Sequence, residues 1–522
     1  MKSINKNLIR FFIRVLGILK LKFVLLFIKA KPSNEKLIVF HTVRYARLLH
    51  DGFFAFLLAQ RGFNVIIILD DGVLSHWDNS SHVLVNKKLK NLNPFKTCLK
   101  SKMLSLCILH FYQFIFYNKN VKYIFYSKIP GIKKLNNSSS KYLIYFAKSS
   151  CIRYYQNTEL DYNNKEVNHF YNLSLKNAKL SQLAANYIMK FNPYLTISNL
   201  GVYSVMGPFH YFMSTSGFRT KLYCRCPYID NKFWVHDVKA QVMSLSNEWQ
   251  EKRNSIYPIS QLKQQELYLQ KRLSLDSNDT KIYFSNTDFE IPKITKENNI
   301  TFCAFPNVVW DGHEHERNYL FNGVFDWMLK LIYFFKENNH LNLIIRYHPS
   351  ESTLFSNTVK LHDLLTEKVD FTSTKNIYII PSGRLINTYD IIKSCVDIGL
   401  IYDGILGLEL PLLDKPVIFS SKGAIDGCYI SGTDLFKTQK EYFDHITNYS
   451  RILKNFNNNK NEVKRKCLQY LHWYLFDMTY FSPTANILTK NFEDFPIKHF
   501  TKYNFNPEYN RELNKTINAF LK

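Results

Sequence analysis

Apolar residues along the chain form short runs separated by glycine-containing turns and amphipathic stretches, a rhythm typical of alternating strands and helices. The first case is the strand-like run Lys36–His41, followed by a helical pattern over Phe53–Arg61. Gly62 then precedes a second strand, Val65–Leu69, which ends at Asp70-Asp71-Gly72. This order predicts a βαβ unit, and such units build parallel sheets whose ligands bind beyond the carboxyl ends of the strands.

The same alternation of strands and helices is predicted twice more along the chain. A second unit is predicted from the strands Leu195–Ser198 and Thr220–Cys224, with the helix Ser204–Ser216 between them. A fresh set begins near Lys281. Its predicted strands are Ile282–Phe284, Ile300–Phe305, Leu341–Tyr347, Ile377–Ile380, Val396–Ile401 and Pro416–Phe419, and its helices are Asn322–Asn338, Tyr389–Ser394 and Leu406–Leu413. We therefore expect an α/β fold with two Rossmann-like, doubly wound domains.

These elements divide the 522 residues into five expected segments, which suits a chain too long for one core. They are a basic amphipathic segment over 1–35, a Rossmann-like domain over 36–235, a helical linker over 236–280, a second Rossmann-like domain over 281–437 and a helical tail over 438–522.

The N-terminal segment Leu8–Ala30 is apolar but contains Arg10, Arg14, Lys20 and Lys22. A membrane-spanning helix needs about twenty apolar residues with few charges, and a signal peptide needs a small-residue cleavage site that is not evident here. Two interpretations stay open: a basic helix lying on an anionic membrane surface, and an ordinary amphipathic helix packed on the protein itself.

The formal net charge of +26 favours anionic partners such as nucleic acid, anionic lipid or phosphorylated small molecules. The lysines are scattered, and neither zinc-finger nor RNA-recognition spacing is present, so we expect no nucleic-acid partner. The 9 cysteines are an odd number and, apart from Cys224 and Cys226, widely spaced, which indicates reduced thiols in a cytoplasmic protein.

Candidate chemistry is densest in the second half. Arg346, His348, Pro349 and Glu351 lie where an apolar strand meets a loop. Proline holds the preceding residue extended, and the His348 imidazole can then donate to a phosphate oxygen while Arg346 adds charge. A structural histidine at a strand end is the competing explanation.

The second motif, Cys395–Val417, reads as a strand, an Asp403-Gly404 turn, a helix and another strand. Gly404 and Gly407 allow close approach of backbone to a ligand, and the helix N-terminus offers N–H groups to a pyrophosphate. Glu409, one turn into the helix, could accept hydrogen bonds from ribose hydroxyls. The alternative for Glu409 is a solvated helix carboxylate.

A strand ending in His-Pro, followed about fifty residues later by a strand, a small turn, G-x-E and a K-P-V strand, resembles the nucleotide-sugar half of GT-B glycosyltransferases. More narrowly, it resembles the capsule polysaccharide biosynthesis family, which includes bacterial Kdo transferases. Further similar segments are Trp310-Asp311, Phe325–Trp327, Tyr470–Phe476, Gly52-Phe53 and Gly201–Gly207. Many relatives carry a serine-containing pair where this chain has Asp403-Gly404, and an aspartate beside a phosphate is unfavourable unless it is paired.

The resemblance implies a nucleotide-activated donor, CMP-linked in many relatives with the His-Pro motif, and a glycan or lipid-linked acceptor. Arg346 and His348 would contact the donor phosphates and Glu409 the ribose. Some relatives use an acidic pair before glycine as catalytic base, and Asp70-Asp71-Gly72 matches that string, although an Asp-Gly turn explains it as well. Asp51 and His41 compete for the same role.

We expect no cofactor and no metal. The segment Trp310–Glu316 is rich in potential ligands, but many GT-B enzymes act without metal. The expected activity is therefore sugar transfer in surface-polysaccharide assembly, at the inner face of the cell membrane. The alternatives are a teichoic-acid-type polyol-phosphate transferase and a non-catalytic assembly subunit. A GT-B epimerase is less favoured because its usual glutamates are not recognisable.

Overall fold

The protein is described here by a computed structural model. The described residues are 16, 19–77, 93, 99–132, 140–226, 228–229, 231–237, 249, 257–274, 299–309, 320–353, 360–372, 374–384, 386–421, 436–484 and 501–522. The expected strand Ile282–Phe284 and the segment Trp310–Glu316 lie outside them.

The strands, in chain order, are β1 Leu37–Val43, β2 Asn64–Leu69, β3 Val121–Phe125, β4 Leu195–Asn199, β5 Thr220–Arg225, β6 Lys232–His236, β7 Thr301–Phe305, β8 Asn342–Arg346, β9 Ile377–Ile380, β10 Ile398–Ile401, β11 Val417–Phe419 and β12 Thr479–Phe481.

The helices are α1 Leu48–Gln60, α2 Leu99–Ile115, α3 Lys141–Tyr155, α4 Lys165–Met189, α5 Met206–Thr215, α6 Ile259–Leu273, α7 Val324–Glu337, α8 Ser350–Thr353, α9 Leu361–Thr366, α10 Thr388–Cys395, α11 Leu406–Leu412, α12 Gln439–Thr447, α13 Tyr449–His472, α14 Lys502–Phe505 and α15 Arg511–Leu521.

The chain divides into two compact units. The first comprises Met1–Tyr154, Asp161–Ala240 and Met478–Lys522. Its sheet has the order β12-β6-β5-β4-β1-β2-β3, in which β1 to β5 are parallel, β6 pairs antiparallel with β5, and β12 pairs antiparallel with β6. Apolar residues of both sheet faces are buried, one face packing with α1, α2 and α15 and the other with α4 and α5.

The second unit comprises Tyr155–Leu160 and Gln241–Asp477. Its sheet is wholly parallel in the order β11-β10-β7-β8-β9. Trp327 of α7 is fully buried in its core, where its indole N–H donates to the Tyr442 hydroxyl at 3.1 Å. The expected α/β class with two Rossmann-like, doubly wound units is thereby confirmed.

In both sheets the earliest strand is an interior strand and the chain order reverses beside it, between β1 and β4 in the first unit and between β7 and β10 in the second. Such switch points leave a crevice beyond the carboxyl ends of the two strands, where ligands of doubly wound sheets bind.

The C-terminal segment differs from the expected helical tail over 438–522. Helices α12 and α13 fit that expectation, but β12 follows them and pairs antiparallel with β6, and α15 buries Leu513, Ile517 and Phe520 in the core of the first unit. The chain therefore returns to the first sheet after it has built the second. The expected linker over 236–280 contains the well-formed helix α6.

Helix α11 packs tightly on strand β11, and this contact requires a glycine. A Cβ at Gly407 would lie 2.4 Å from two carbon atoms of the Phe419 ring, far inside van der Waals contact. A buried aromatic ring in a packed core has little room to move. Gly407 is thus needed for helix–strand packing, and its expected role in ligand approach has no support from this contact.

We predict that Gly407→Ala destabilises the second unit by about 1–3 kcal/mol, the usual range for overpacking a core. The matched control is Gly383→Ala, because its new Cβ would meet only Ser352 Oγ, at an ordinary distance of 3.5 Å. Urea unfolding followed by circular dichroism measures both. Equal midpoints for the two variants would contradict this packing account.

Candidate functional site

The carboxyl edge of the second sheet gathers polar side chains at its switch point. Asn307 follows β7, Arg346 ends β8, and Asp403 and Gly404 follow β10. The Asp403 backbone N–H donates to Asn307 Oδ1 at 3.1 Å, which joins the loops after the two strands flanking the switch point. Asn307 was missed from the sequence, although its place directly after a buried strand could have indicated it.

His348 is fixed by its own loop. The Ser350 backbone N–H donates to His348 Nδ1 at 3.2 Å, and Ser350 Oγ lies 2.6 Å from the same nitrogen. Because a backbone N–H can only donate, Nδ1 is the acceptor, and the neutral ring carries its proton on Nε2. Pro349 is buried and leads into α8. The loop therefore holds the His348 ring with Nε2 as its hydrogen-bond donor.

Arg346 is a buried cation with incomplete hydrogen bonding. Its side chain is 2% exposed, and Nη1 donates to the carbonyl oxygens of Tyr347 and Pro381, both at 3.1 Å. Within the described part of the chain, Nε and Nη2 have no hydrogen-bond partner. Burial lowers the pKa of Arg346 to about 10, so the group is still charged at neutral pH. Unsatisfied donors of a buried cation are costly, and an anionic ligand would satisfy them.

Glu351 is buried beside this loop. One of its oxygens accepts from the Leu361 backbone N–H at 3.3 Å, which ties α8 to α9, and Oε2 has no hydrogen-bond partner among the described residues. Burial raises the pKa of Glu351 to about 7. The carboxyl is thus partly protonated near neutral pH, and its hydrogen bond from Leu361 has a structural role.

Glu409 is neither a solvated helix carboxylate nor an open ribose acceptor. It is fully buried and forms an ion pair with Arg272 through Oε1. Its Oε2 accepts from the Tyr389 hydroxyl at 2.8 Å, and Arg272 Nε also donates to that hydroxyl at 2.9 Å. A ribose hydroxyl could reach Glu409 only by displacing these partners.

Arg272 and Tyr389 are the partners that sequence reasoning missed. Arg272 lies in α6, within the expected linker, and Tyr389 lies in the first turn of α10. Neither lies in a recognisable motif, although a tyrosine and an arginine in amphipathic helices could have been considered as partners for a helix carboxylate.

The Asp403-Gly404 turn differs in one respect from a loop whose backbone N–H groups bind a phosphate. Asp403 Oδ1 accepts from the Gly404 N–H at 2.7 Å, and Gly404 has a φ of +123°, which favours glycine. A carboxylate therefore already bonds an N–H group that a pyrophosphate was expected to use. The Gly407 N–H is also bonded, to the Gly404 carbonyl at 3.1 Å.

In the first unit, Asp70 anchors the turn after β2. Its Oδ1 accepts from the backbone N–H groups of Gly72, Val73 and Leu74 at 2.9–3.1 Å. Its Oδ2 accepts from the Trp77 indole at 2.9 Å and the Asn93 amide at 2.7 Å. These bonds support the Asp-Gly turn explanation.

Asp71 lies beside the same turn and is bonded by Ser127. The Ser127 backbone N–H donates to Asp71 Oδ1 at 3.1 Å, and the Ser127 hydroxyl contacts Oδ2. Both carboxylates of the acidic pair therefore have protein partners.

The other two base candidates, Asp51 and His41, are each 1% exposed. Burial raises the pKa of Asp51 to about 6, although a hydrogen bond from the Tyr223 hydroxyl opposes the shift. Burial and then the charge of Arg47 lower the pKa of His41 to about 3, and its ring stacks on Phe209. Asp51 has the pKa better suited to a general base, but both side chains are covered in this structure.

No group of three or more histidine, cysteine, aspartate or glutamate side chains among the described residues is arranged to hold a metal ion. Of the helices that the structure describes, none combines the length and apolar character needed to cross a bilayer.

No protein-family model and no curated protein sequence matches the chain. Solved structures that match include S. aureus MnaA with UDP, at 10% identity and a TM-score of 0.25, covering 84% of this chain and 97% of that one. Another is a UDP-N-acetylglucosamine 2-epimerase, at 7% identity and a TM-score of 0.25, covering 85% and 96%. A third is the glycosyltransferase SnogD from Streptomyces nogalater, at 7% and 0.20, covering 85% and 99%. Because these values are low, the fold class rests on the sheet topology of the two units.

We predict that Glu351 makes the stability of the protein depend on pH. The folded state binds a proton between the ordinary pKa of 4.5 and the raised value of about 7, whereas the unfolded chain does not. The contribution of this carboxyl therefore falls as pH rises through that window, by about 3 kcal/mol.

Glu351→Gln removes this dependence. The stability of the wild type relative to the variant should fall between about pH 5 and about pH 8, as measured by urea unfolding. The control is Glu367→Gln, at an exposed carboxylate. Its stability should differ from that of the wild type by the same amount at about pH 5 and at about pH 8. A difference for Glu351→Gln that is equally constant would refute the prediction.

Proposed function

We propose that the protein is a glycosyltransferase that moves a sugar from a nucleotide-activated donor to a surface polysaccharide or lipid-linked acceptor. The observation that carries the proposal is Arg346, a buried cation with unsatisfied N–H groups at the carboxyl edge of a parallel sheet, beside the fixed ring of His348. Phosphate oxygens of a donor would complete the hydrogen bonds of the Arg346 guanidinium.

In this proposal the second unit holds the donor. Arg346 and the Nε2–H of His348 bind the phosphates, and their charge and hydrogen bonds stabilise the phosphate that leaves with the nucleotide. Positioning supplies the rest of the catalysis. Glu409 stabilises the site through its ion pair with Arg272 and its hydrogen bond from Tyr389, and it does not contact the ribose. The first unit holds the acceptor, and Asp51 is the favoured base candidate because of its raised pKa.

We predict that one of CMP, CDP, UDP and GDP raises the melting temperature of the full chain and that His348→Ala abolishes the shift. At a nucleotide concentration about 100 times Kd, binding stabilises the folded state by about 2.7 kcal/mol, which a thermal-shift assay resolves. CMP is the expected nucleotide.

The matched control is His340→Ala, because His340 is exposed and lies just before β8, whereas His348 follows its other end. This control should keep the full shift. A shift that persists in His348→Ala would remove His348 from the donor site, and the absence of a shift for every nucleotide would refute the donor role of this unit.

A second candidate function is a nucleotide-binding assembly subunit without transferase activity. Two observations favour it. The Asp403 carboxylate already accepts a hydrogen bond from the Gly404 N–H, and Glu409 already accepts one from the Tyr389 hydroxyl. It requires nucleotide binding without acceptor-dependent release of nucleotide. A polyol-phosphate transferase, the third alternative, would form a phosphodiester product instead.

We also propose that the protein lies on the inner face of the cell membrane through its N-terminal helix, residues 19–26. Leu21 and Leu25 of this helix are buried in the core of the first unit, whereas Phe23, Leu26 and Phe27 are 61–67% exposed. The helix thus packs on the protein by one face and leaves an apolar face uncovered. The same segment contains Lys20, Lys22 and Lys29.

Helix α2 extends this apolar surface. Lys22 Nζ lies 5.5 Å from the ring centroid of Phe114, which is itself 58% exposed. Aromatic and aliphatic side chains interleaved with lysine are suited to the boundary between acyl chains and anionic headgroups.

We predict that the chain binds anionic lipid vesicles and that the combined variant Phe23→Ser, Leu26→Ser and Phe27→Ser weakens binding by at least about tenfold, because each side chain loses apolar burial in the bilayer. Sedimentation with vesicles measures the binding. Phe191→Ser, at another exposed phenylalanine of the first unit, is the control. Unchanged binding by the triple variant would contradict this docking surface.

A further inference from the structure

A pocket lies at the switch point of the first sheet. Val43, the last residue of β1, and Leu200, directly after β4, line it together with Arg44, Arg47 and Trp77. This is the position where a doubly wound sheet binds its ligand, and none of the base candidates Asp70, Asp71, Asp51 and His41 lines it.

The backbone around this pocket is unusual. Val43 has a φ of +62° and Leu200 a φ of +60°, in the left-handed region that side chains of this size rarely adopt. The register between β1 and β2 also shifts between His41 and Val43. Strained backbone of this kind concentrates at functional sites, and here it occurs on both strands that flank the switch point.

Two arginines line the pocket, and one of them, Arg47, also lies near the buried Asp51 carboxyl, whose pKa its charge lowers against the larger effect of burial. Arg47 is 8% exposed, and its Nη1 has no hydrogen-bond partner in the part of the chain that the structure describes. The Arg44 guanidinium lies 5.8 Å from the centroid of the Trp77 ring. A buried guanidinium N–H without an acceptor is unfavourable, so an oxyanion in the pocket would stabilise Arg47.

We propose that this pocket binds a phosphoryl or carboxylate group of a sugar-containing acceptor. Arg47 and Arg44 donate charge-assisted hydrogen bonds to the oxyanion, and the Trp77 ring packs against the sugar. The inference rests on the proposed function, because that function makes the first unit the acceptor half, and it extends it by giving the acceptor a chemical class.

The test uses the full chain and isothermal titration with three probes: glucose 1-phosphate, glucuronate and neutral glucose. The variants are Arg44→Ala, which changes a half-buried side chain, and Arg47→Lys, which keeps the charge but removes the planar donor group. Lys190→Ala is the control, because this exposed lysine lies before β4, at the opposite edge of the sheet.

We expect at least one anionic probe to bind the wild type and Lys190→Ala, with glucose at least about tenfold weaker, and each arginine variant to lose at least about tenfold in affinity. A preference between the two anionic probes identifies the oxyanion as phosphoryl or carboxylate. Binding that is unaffected by Arg44→Ala and Arg47→Lys, equal binding of glucose, or no binding of either anion would overturn the proposal.

The same preparation distinguishes this inference from the proposed function. Nucleotide binding that depends on His348 reports on the second unit alone. If nucleotide binds and the anionic probes do not, the acceptor inference fails while the donor assignment stands. If the anions bind in an Arg44-dependent way and no nucleotide does, the pocket is established and the donor assignment fails.

Discussion

Glu409 is a fully buried carboxylate, and its charge is balanced by Arg272 of α6 and by the Tyr389 hydroxyl of α10. Removing one partner from a buried pair leaves an uncompensated charge, which costs about 3–5 kcal/mol. The pair therefore fixes α6 and α10 against α11, the helix that follows the switch point of the second sheet. The loops that gather Arg346 and His348 are built on that same sheet.

A common pattern connects the two units. The acidic side chains near the carboxyl edges are satisfied by the protein: Asp70 has five hydrogen-bond donors and Asp403 bonds the next N–H group. Two buried arginines, Arg346 and Arg47, have N–H groups without a partner among the described residues. Sites of this kind select anions, which agrees with the formal net charge of +26. A donor phosphate and an acidic acceptor group are both anions that such sites would bind.

The sequence predicted most of the parallel strands, because buried parallel strands are short apolar runs between turns. The strand Ile377–Ile380 has the predicted bounds, and the predicted strand Leu341–Tyr347 is one residue longer at each end than β8. The strand β12 was missed, since three residues have no periodicity of their own and their pairing with β6 depends on tertiary contacts.

The candidate site was less predictable for a similar reason. The positions of Arg346 and His348 at a strand end follow from local pattern. The pairing of Glu409 with Arg272 does not, because it joins residues distant in sequence and local propensity contains no information about such contacts. Likewise, the string Asp70-Asp71-Gly72 cannot reveal that Trp77 and Asn93 donate to the first carboxylate.

Nucleotide binding at the carboxyl edge of the second sheet is tested most directly by hydrogen–deuterium exchange of the full chain, with and without saturating nucleotide. We expect slower exchange in the segments 346–352 and 402–408, with little change in the first unit. Protection confined to the first unit, or no protection anywhere at saturation, would contradict it.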